Sequence, residues 1–241
     1  MKIAFVSNLL EPTGGDNILL HHIEGLNDLG HSVDGYFTGI MKESTEKYGN
    51  LKYVKTFNRN NIKGLNLHKY DLIVGNGLFG AQVLFDKQIP YVQFLQNFDP
   101  WIFGKSKEID NIYNAFDQIL LYSSHLENIV RHYYGEKKFT KCNNGIEYKT
   151  FQKYKTQQKN KSVCFCVAYY RPYKGIKLTN KVFGILKEKG FRTVEICAVN
   201  GPLPNTMEFY RNPSIERKCE IISECGITLH PSVFETWNLV S

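Results

Sequence analysis

No stretch of this chain is long and apolar enough to form a helix that crosses a bilayer. The apolar run at residues 3–7 stops at Asn8, too short for the core of a signal peptide, and reads instead as a first buried strand. None of the six cysteines, at 142, 164, 166, 197, 219 and 225, forms a C-x-x-C pair, and zinc-finger spacing is absent. Several of them sit in apolar runs, as expected of reduced core thiols in a cytoplasmic protein. There is no aromatic pair in an RRM-like context, so no nucleic-acid partner is expected. No G-x-G-x-x-G follows the first strand, which argues against a nicotinamide-dependent enzyme.

What remains is a globular composition. The 241 residues are 42% hydrophobic and 22% charged, enough for one large core or two medium ones. The net charge of +7 suits a phosphate-bearing substrate or an anionic lipid surface. Short apolar runs alternate with helical patterns, which predicts parallel sheets covered by helices on both faces.

Strands are expected at 3–7, from 31, and at 51–57, 71–74, 90–95, 118–122 and 139–143. The first helix places Ile18, Leu19, Ile23, Leu26 and Leu29 on one face and ends at Gly30; at most one of its two histidines, His21 and His22, can face the core. A later helix opens on Ser124 and Glu127 as a capping box, with Leu126, Ile129, Val130 and Tyr133 as its stripe. Residues 148–161 turn polar and basic and read as a linker, or else as a long surface loop. A second series follows, with strands at 163–168, 194–199, 207–210 and 226–230, a helix at 177–189 ended by Gly190, and a helix capped by Ser214 and bearing Ile215, Cys219 and Ile222. This divides the chain into an N-terminal domain of 1–147, a linker of 148–161 and a C-terminal domain of 162–241. Four strands are few for a doubly wound domain. One or two further βα units, roughly 60–90 residues, are expected to be missing from the second domain.

Four segments, in order, carry a resemblance. They are Gly14-Gly15; Asn144-Gly145-Ile146-Glu147 with Phe151; Tyr170-Arg171-Pro172-Tyr173-Lys174-Gly175; and Pro231-Ser232-Val233-Phe234-Glu235-Thr236-Trp237-Asn238-Leu239-Val240. Together they resemble the glycine loop, the N-G-V-D-x-x-x-F junction, the R…K-G segment and the PS-x-x-E-G-F-G-L-V segment of retaining GT-B glycosyltransferases of family 4. The resemblance implies two Rossmann-like domains closing over a cleft. It also implies transfer of a sugar from a nucleoside-diphosphate donor to a glycan or lipid-linked acceptor, with retention of configuration and neither cofactor nor metal. Arg171, Lys174 and Gly175 would hold the donor phosphates, together with Asn238, Leu239 and Val240 at the start of a helix. The family spaces its Arg and Lys more widely, at the position of Tyr169, so Lys174-Gly175 transfers more directly than Arg171.

Glu235 would accept hydrogen bonds from donor-sugar hydroxyls; the second Glu of the family's E-x7-E motif would fall at position 243, past the last residue. Gly14-Gly15, ahead of a helix N-terminus, would admit a phosphate or an acceptor to the backbone. Where many members carry a His, this chain has Gln96-Asn97-Phe98-Asp99-Pro100-Trp101. That segment resembles the Q-x-Y-E-P variant of a rhamnosyltransferase-like subgroup. Gln96 and Asn97 would then meet the acceptor and Asp99 would steer it or take its proton, or the group is a buried hydrogen-bonding cluster. Such acceptors imply peripheral contact with the inner face of a membrane, helped by Arg131, Lys137, Lys138 and Lys141. A truncated homologue that binds sugar without catalysis and a sugar-nucleotide epimerase are the competing readings.

Overall fold

The computed structural model describes residues 1–49, 51–58, 65–145, 148–154 and 160–233, with Tyr148 as backbone only. The chain divides into two compact units: Met1–Glu11 with Gly15–Asn144, and Pro12–Gly14 with Gly145–Ser241.

The first unit is a seven-stranded, all-parallel sheet of order β3-β2-β1-β4-β5-β6-β7. Its strands are β1 (Lys2–Val6), β2 (Ser32–Phe37), β3 (Val54–Thr56), β4 (Leu72–Asn76), β5 (Val92–Phe94), β6 (Gln118–Leu121) and β7 (Lys138–Lys141). The expected strands are all present. Four of the five residues of β1 are buried, as a strand covered on both faces requires. The strand order reverses between β1 and β4, so the crevice at their carboxyl ends is the place where a ligand meets such a sheet.

Helix α1 (Gly14–Asp28) buries Ile18, Leu19 and Ile23 as expected, but Leu29 lies past its end and is 77% exposed. The helix closes in a Schellman motif: Gly30, at φ 88°, donates to the Asn27 carbonyl at 2.9 Å, and His31 donates to that of Leu26 at 3.0 Å. Asn27 then ties the helix to β2, exchanging hydrogen bonds with both backbone groups of Val33. Short helices α2 (Lys42–Tyr48), α3 (Gly77–Asp86), α4 (Asp99–Phe103) and α5 (Lys107–Ala115) follow. Helix α6 (Ser124–Tyr134) is capped one residue earlier than the pattern predicts: Ser123 accepts from Leu126 N at 3.0 Å. Ser124 is already helical, and its hydroxyl accepts from Lys141 Nζ at 2.8 Å.

The second unit opens with α7 (Tyr148–Gln152), which packs against α9, so the stretch expected to be a linker contains a helical turn. Four parallel strands follow, β8 (Ser162–Val167), β9 (Arg192–Cys197), β10 (Glu208–Arg211) and β11 (Ile227–Leu229), in the order β10-β9-β8-β11. Helices α8 (Ile176–Glu188) and α9 (Ile215–Glu224) stand where the periodicity places them, and Ser214 caps α9 by accepting from Arg217 N. Ile215, at the first position of α9, is 37% exposed instead of joining Cys219 and Ile221 in the core. Strand order reverses between β8 and β11, giving this unit a switch point of its own.

Candidate functional site

At the switch point of the first unit, side chains from three strand ends form one chain of hydrogen bonds. Asn76, ending β4, donates from Nδ2 to Ser7 Oγ at 2.9 Å. Gln96, just past β5, donates from Nε2 to Asn76 Oδ1 at 2.9 Å and to the Gly15 carbonyl at 3.1 Å. The Tyr122 hydroxyl donates to the Gln96 carbonyl. Gln96 and Gly15 are therefore brought together; Asn97, next to Gln96 in the chain, is exposed, and so is Gly14. Asp16, in the first turn of α1, is buried and accepts from Glu11 N at 2.9 Å. A carboxylate already occupies this helix N-terminus, so the turn suits a neutral hydroxyl better than a second anion.

Asp99 is placed differently from Gln96. It is buried, and the Tyr113 hydroxyl donates to its Oδ2 at 2.8 Å while Asp99 N donates back to that hydroxyl at 3.1 Å. Burial pushes its carboxyl up to about 6 despite the hydrogen bonds from Tyr113 and from backbone that favour the anion. Around it stand Phe98, Tyr113, Ile109 and Ile112, the core under α4 and α5. Of the α1 histidines, His22 faces inward against Phe94 at a ring distance of 5.3 Å, and burial holds its imidazole below the usual value.

In the second unit the loop after β8 carries the cations. Arg171 lies 4.7 Å over the Tyr169 ring, and Lys174 Nζ is 5.5 Å from the Tyr173 ring. Pro172–Lys174 makes one 3-10 turn that delivers the chain to Gly175, the N-cap of α8. Gly175 has φ 68°, and a Cβ there would stand 2.2 Å from the Pro231 carbonyl oxygen, so no other residue fits without displacing backbone. That contact seats the loop after β8 against the segment after β11, and Val233 N adds a bond to the Tyr173 carbonyl at 2.8 Å.

The first turn of α8 holds no acidic residue and no side-chain cap. Its leading N–H groups and the nearby Lys174 and Lys177 put positive charge on positive charge. An anion is stabilised at such a helix N-terminus. Glu235, Asn238, Leu239 and Val240 lie outside the described residues.

Sequence reasoning passed over Glu195, a fully buried carboxylate in β9. The signal was a single acid inside the apolar run Val194-Glu195-Ile196-Cys197-Ala198-Val199. Among the basic residues expected to meet a membrane, Arg131 pairs with Glu127 and Glu136. Lys141 bonds Ser124, and Lys137 bonds the Asn114 carbonyl.

No family model and no curated protein matches the sequence. Solved structures do match. HepE of Anabaena, in complex with UDP and glucose, is 17% identical with a TM-score of 0.73, over 100% of this chain and 77% of that one. WaaG, a glycosyltransferase involved in lipopolysaccharide biosynthesis, is 14% identical with a TM-score of 0.68, over 99% and 77%. An alpha-glucosyltransferase in complex with UDP is 13% identical with a TM-score of 0.60, over 95% and 72%, and has also been solved with UDP-glucose and DNA. The likeness establishes the fold class: α/β of the GT-B type, with a parallel sheet in each unit.

Proposed function

We propose that this chain is a glycosyltransferase that moves a sugar from a nucleoside-diphosphate donor to a glycan or lipid-linked acceptor, with retention of configuration and without a metal or other cofactor. The observation that carries the reading is the N-terminus of α8. Its first turn carries no acidic residue, it is preceded by Arg171, Lys174 and Gly175, and it lies at the switch point of the second sheet. As the glycosidic bond breaks, negative charge grows on the leaving diphosphate. Backbone N–H groups and fixed cations stabilise that charge most in the transition state. The departing phosphate takes the acceptor's proton, so no enzymatic nucleophile is needed. Glu235 holds donor-sugar hydroxyls, and residues 238–240 add N–H groups at the phosphates. In the first unit, Gly15, Gln96 and Asn97 offer neutral hydrogen-bonding groups to the acceptor, with Gly14 next to Gly15 in the sequence, and the buried Asp99 fixes the loop that presents Gln96 and Asn97.

No helix among the described residues is long and apolar enough to cross a membrane. For a lipid-linked acceptor, the reading is peripheral contact at the inner membrane face.

The test is calorimetric binding of UDP, GDP and dTDP, followed by transfer from the matching sugar nucleotide to a panel of glycan and lipid-linked acceptors, with a DNA duplex included. One nucleotide should bind, and Lys174→Ala should lower turnover at least ~10²-fold. Near-normal transfer by that variant would remove Lys174 from the phosphate site. NMR of the product's anomeric proton reads retention directly. Conversion of the donor with no acceptor present would replace transfer by epimerisation.

A further inference from the structure

Glu195 presents an unusual choice for a central strand. It occupies the middle of β9 with 0% exposure, on the face that packs Phe165, Phe183 and Cys197. An apolar side chain would fill that position without the cost of stripping water from a charge. The carboxylate is retained by three neutral donors: Leu203 N at 2.9 Å, Thr206 Oγ1 at 2.6 Å and the Tyr170 hydroxyl. These donors share a location. Leu203 and Thr206 belong to the loop after β9, and Tyr170 to the loop after β8, so a single buried acid joins the two loops at the carboxyl edge of the sheet.

Tyr170 is held at both ends. Its backbone N donates to Asn200 Oδ1 at 2.7 Å, while its hydroxyl reaches Glu195 and lies 2.6 Å from the Gly201 carbonyl. It stands between Tyr169 and Arg171, whose guanidinium rests on the Tyr169 ring. Any shift of Tyr170 therefore moves the guanidinium and the ring beneath it together. We propose that Glu195 is a positioning residue, which through Tyr170 sets where Arg171 presents its charge to the donor diphosphate. This rests on the donor-site reading above.

Two variants isolate the link. Tyr170→Phe removes only the hydroxyl, and Glu195→Gln keeps the volume while taking away the charge. Binding of UDP, GDP and dTDP by calorimetry is compared with hydrogen–deuterium exchange over residues 168–175. Each variant should weaken the nucleotide that binds about tenfold, as loss of one well-placed ionic contact does. The double variant should be no weaker than the poorer single one, because both break the same link. Exchange at 168–175 should rise in each, with β8 and β9 still protected. Unchanged exchange in both variants overturns the proposal, as does raised exchange with an unchanged Kd. If the unaltered protein binds none of the three nucleotides, the donor reading fails on its own. Exchange then decides separately whether Glu195 holds the loop.

Discussion

Asp99 distinguishes an acid that meets substrate from one that holds the loop from within, and its titration can be measured. Its carboxyl is raised from 3.8 to about 6 by burial. A carboxyl whose folded value lies above its unfolded value contributes full stability below the unfolded value and loses it as pH rises through the folded one. The window is therefore pH 4 to 6, and the shift corresponds to a loss of about 3 kcal/mol once Asp99 is fully ionised. About 1 kcal/mol of that is already lost at pH 4.5, so about 2 kcal/mol remains to be lost by pH 7.5. Other carboxylates titrate over the same range, but Asp99→Asn removes only this one. Asn keeps an oxygen to accept from Tyr113 and has no charge to desolvate. Urea unfolding of both proteins at pH 4.5 and 7.5 should show the variant gaining about 2 kcal/mol on the wild type between the two conditions. Parallel stability curves for the two proteins would refute the reasoning. They would mean that Asp99 titrates in contact with solvent, where an acceptor could reach it.

Gly175→Ala should destabilise the second unit by at least the ~1–2 kcal/mol of a left-handed non-glycine residue, and more because its Cβ would meet the Pro231 carbonyl. Urea unfolding reads the first effect, and loss of nucleotide binding reads the second. Cys225 should be the most readily alkylated of the six cysteines. Interaction with the Cys164 thiol, then with Ser162 and Arg192, holds the Cys225 thiol below its usual value despite its burial, whereas Cys164 is pushed up. Peptide mapping after brief iodoacetamide treatment across pH 6–9 should show Cys225 labelled fastest, with its rate rising at lower pH than that of the other cysteines. Uniform labelling would contradict it.

The fold was legible because a parallel sheet buries both faces of each strand and so writes continuous apolar runs between turn residues. The runs at 3–7, 118–122 and 163–168 correspond to β1, β6 and β8. Helices α3 and α5 were not read from the sequence. In α3 apolar residues sit on every side, leaving no stripe, and α5 is short, with Asp110 and Asn111 between its buried residues and Glu108 and Asn114 flanking them. Leu29 was misplaced although Gly30 was read as the stop: the last helical residue is Asp28, so Leu29 falls in the C-terminal cap and off the buried stripe. The cationic loop ahead of α8, with Arg171, Lys174 and Gly175, could be picked out because charge and a glycine before a helix leave marks in sequence. The network of Ser7, Asn76, Gln96 and Gly15 was not, because its members are up to 89 residues apart in the chain (96 minus 7) and meet only when three strands align.

The two switch points offer an internal comparison. Each lies where a parallel sheet reverses its order and each has a helix starting nearby, yet their first turns are opposite in charge. Helix α1 carries Asp16 there, buried and already hydrogen-bonded, and is entered through a glycine pair. Helix α8 carries no acid in its first turn and is entered through a lysine. An anion brought to α1 would be opposed by a carboxylate it cannot displace, whereas the first turn of α8 holds no acid to oppose one. The same fold element, used twice, thus differs in the charge of its first turn, as the proposed division between acceptor and donor requires. A sugar hydroxyl and a diphosphate differ in just that way. Replacing Asp16 by Asn should therefore leave nucleotide affinity unchanged, while placing an acid in the first turn of α8, as in Leu178→Glu, should weaken it tenfold or more (~1.4 kcal/mol). Equal effects from the two changes would mean that the nucleotide senses both helices, and the division of roles would fail.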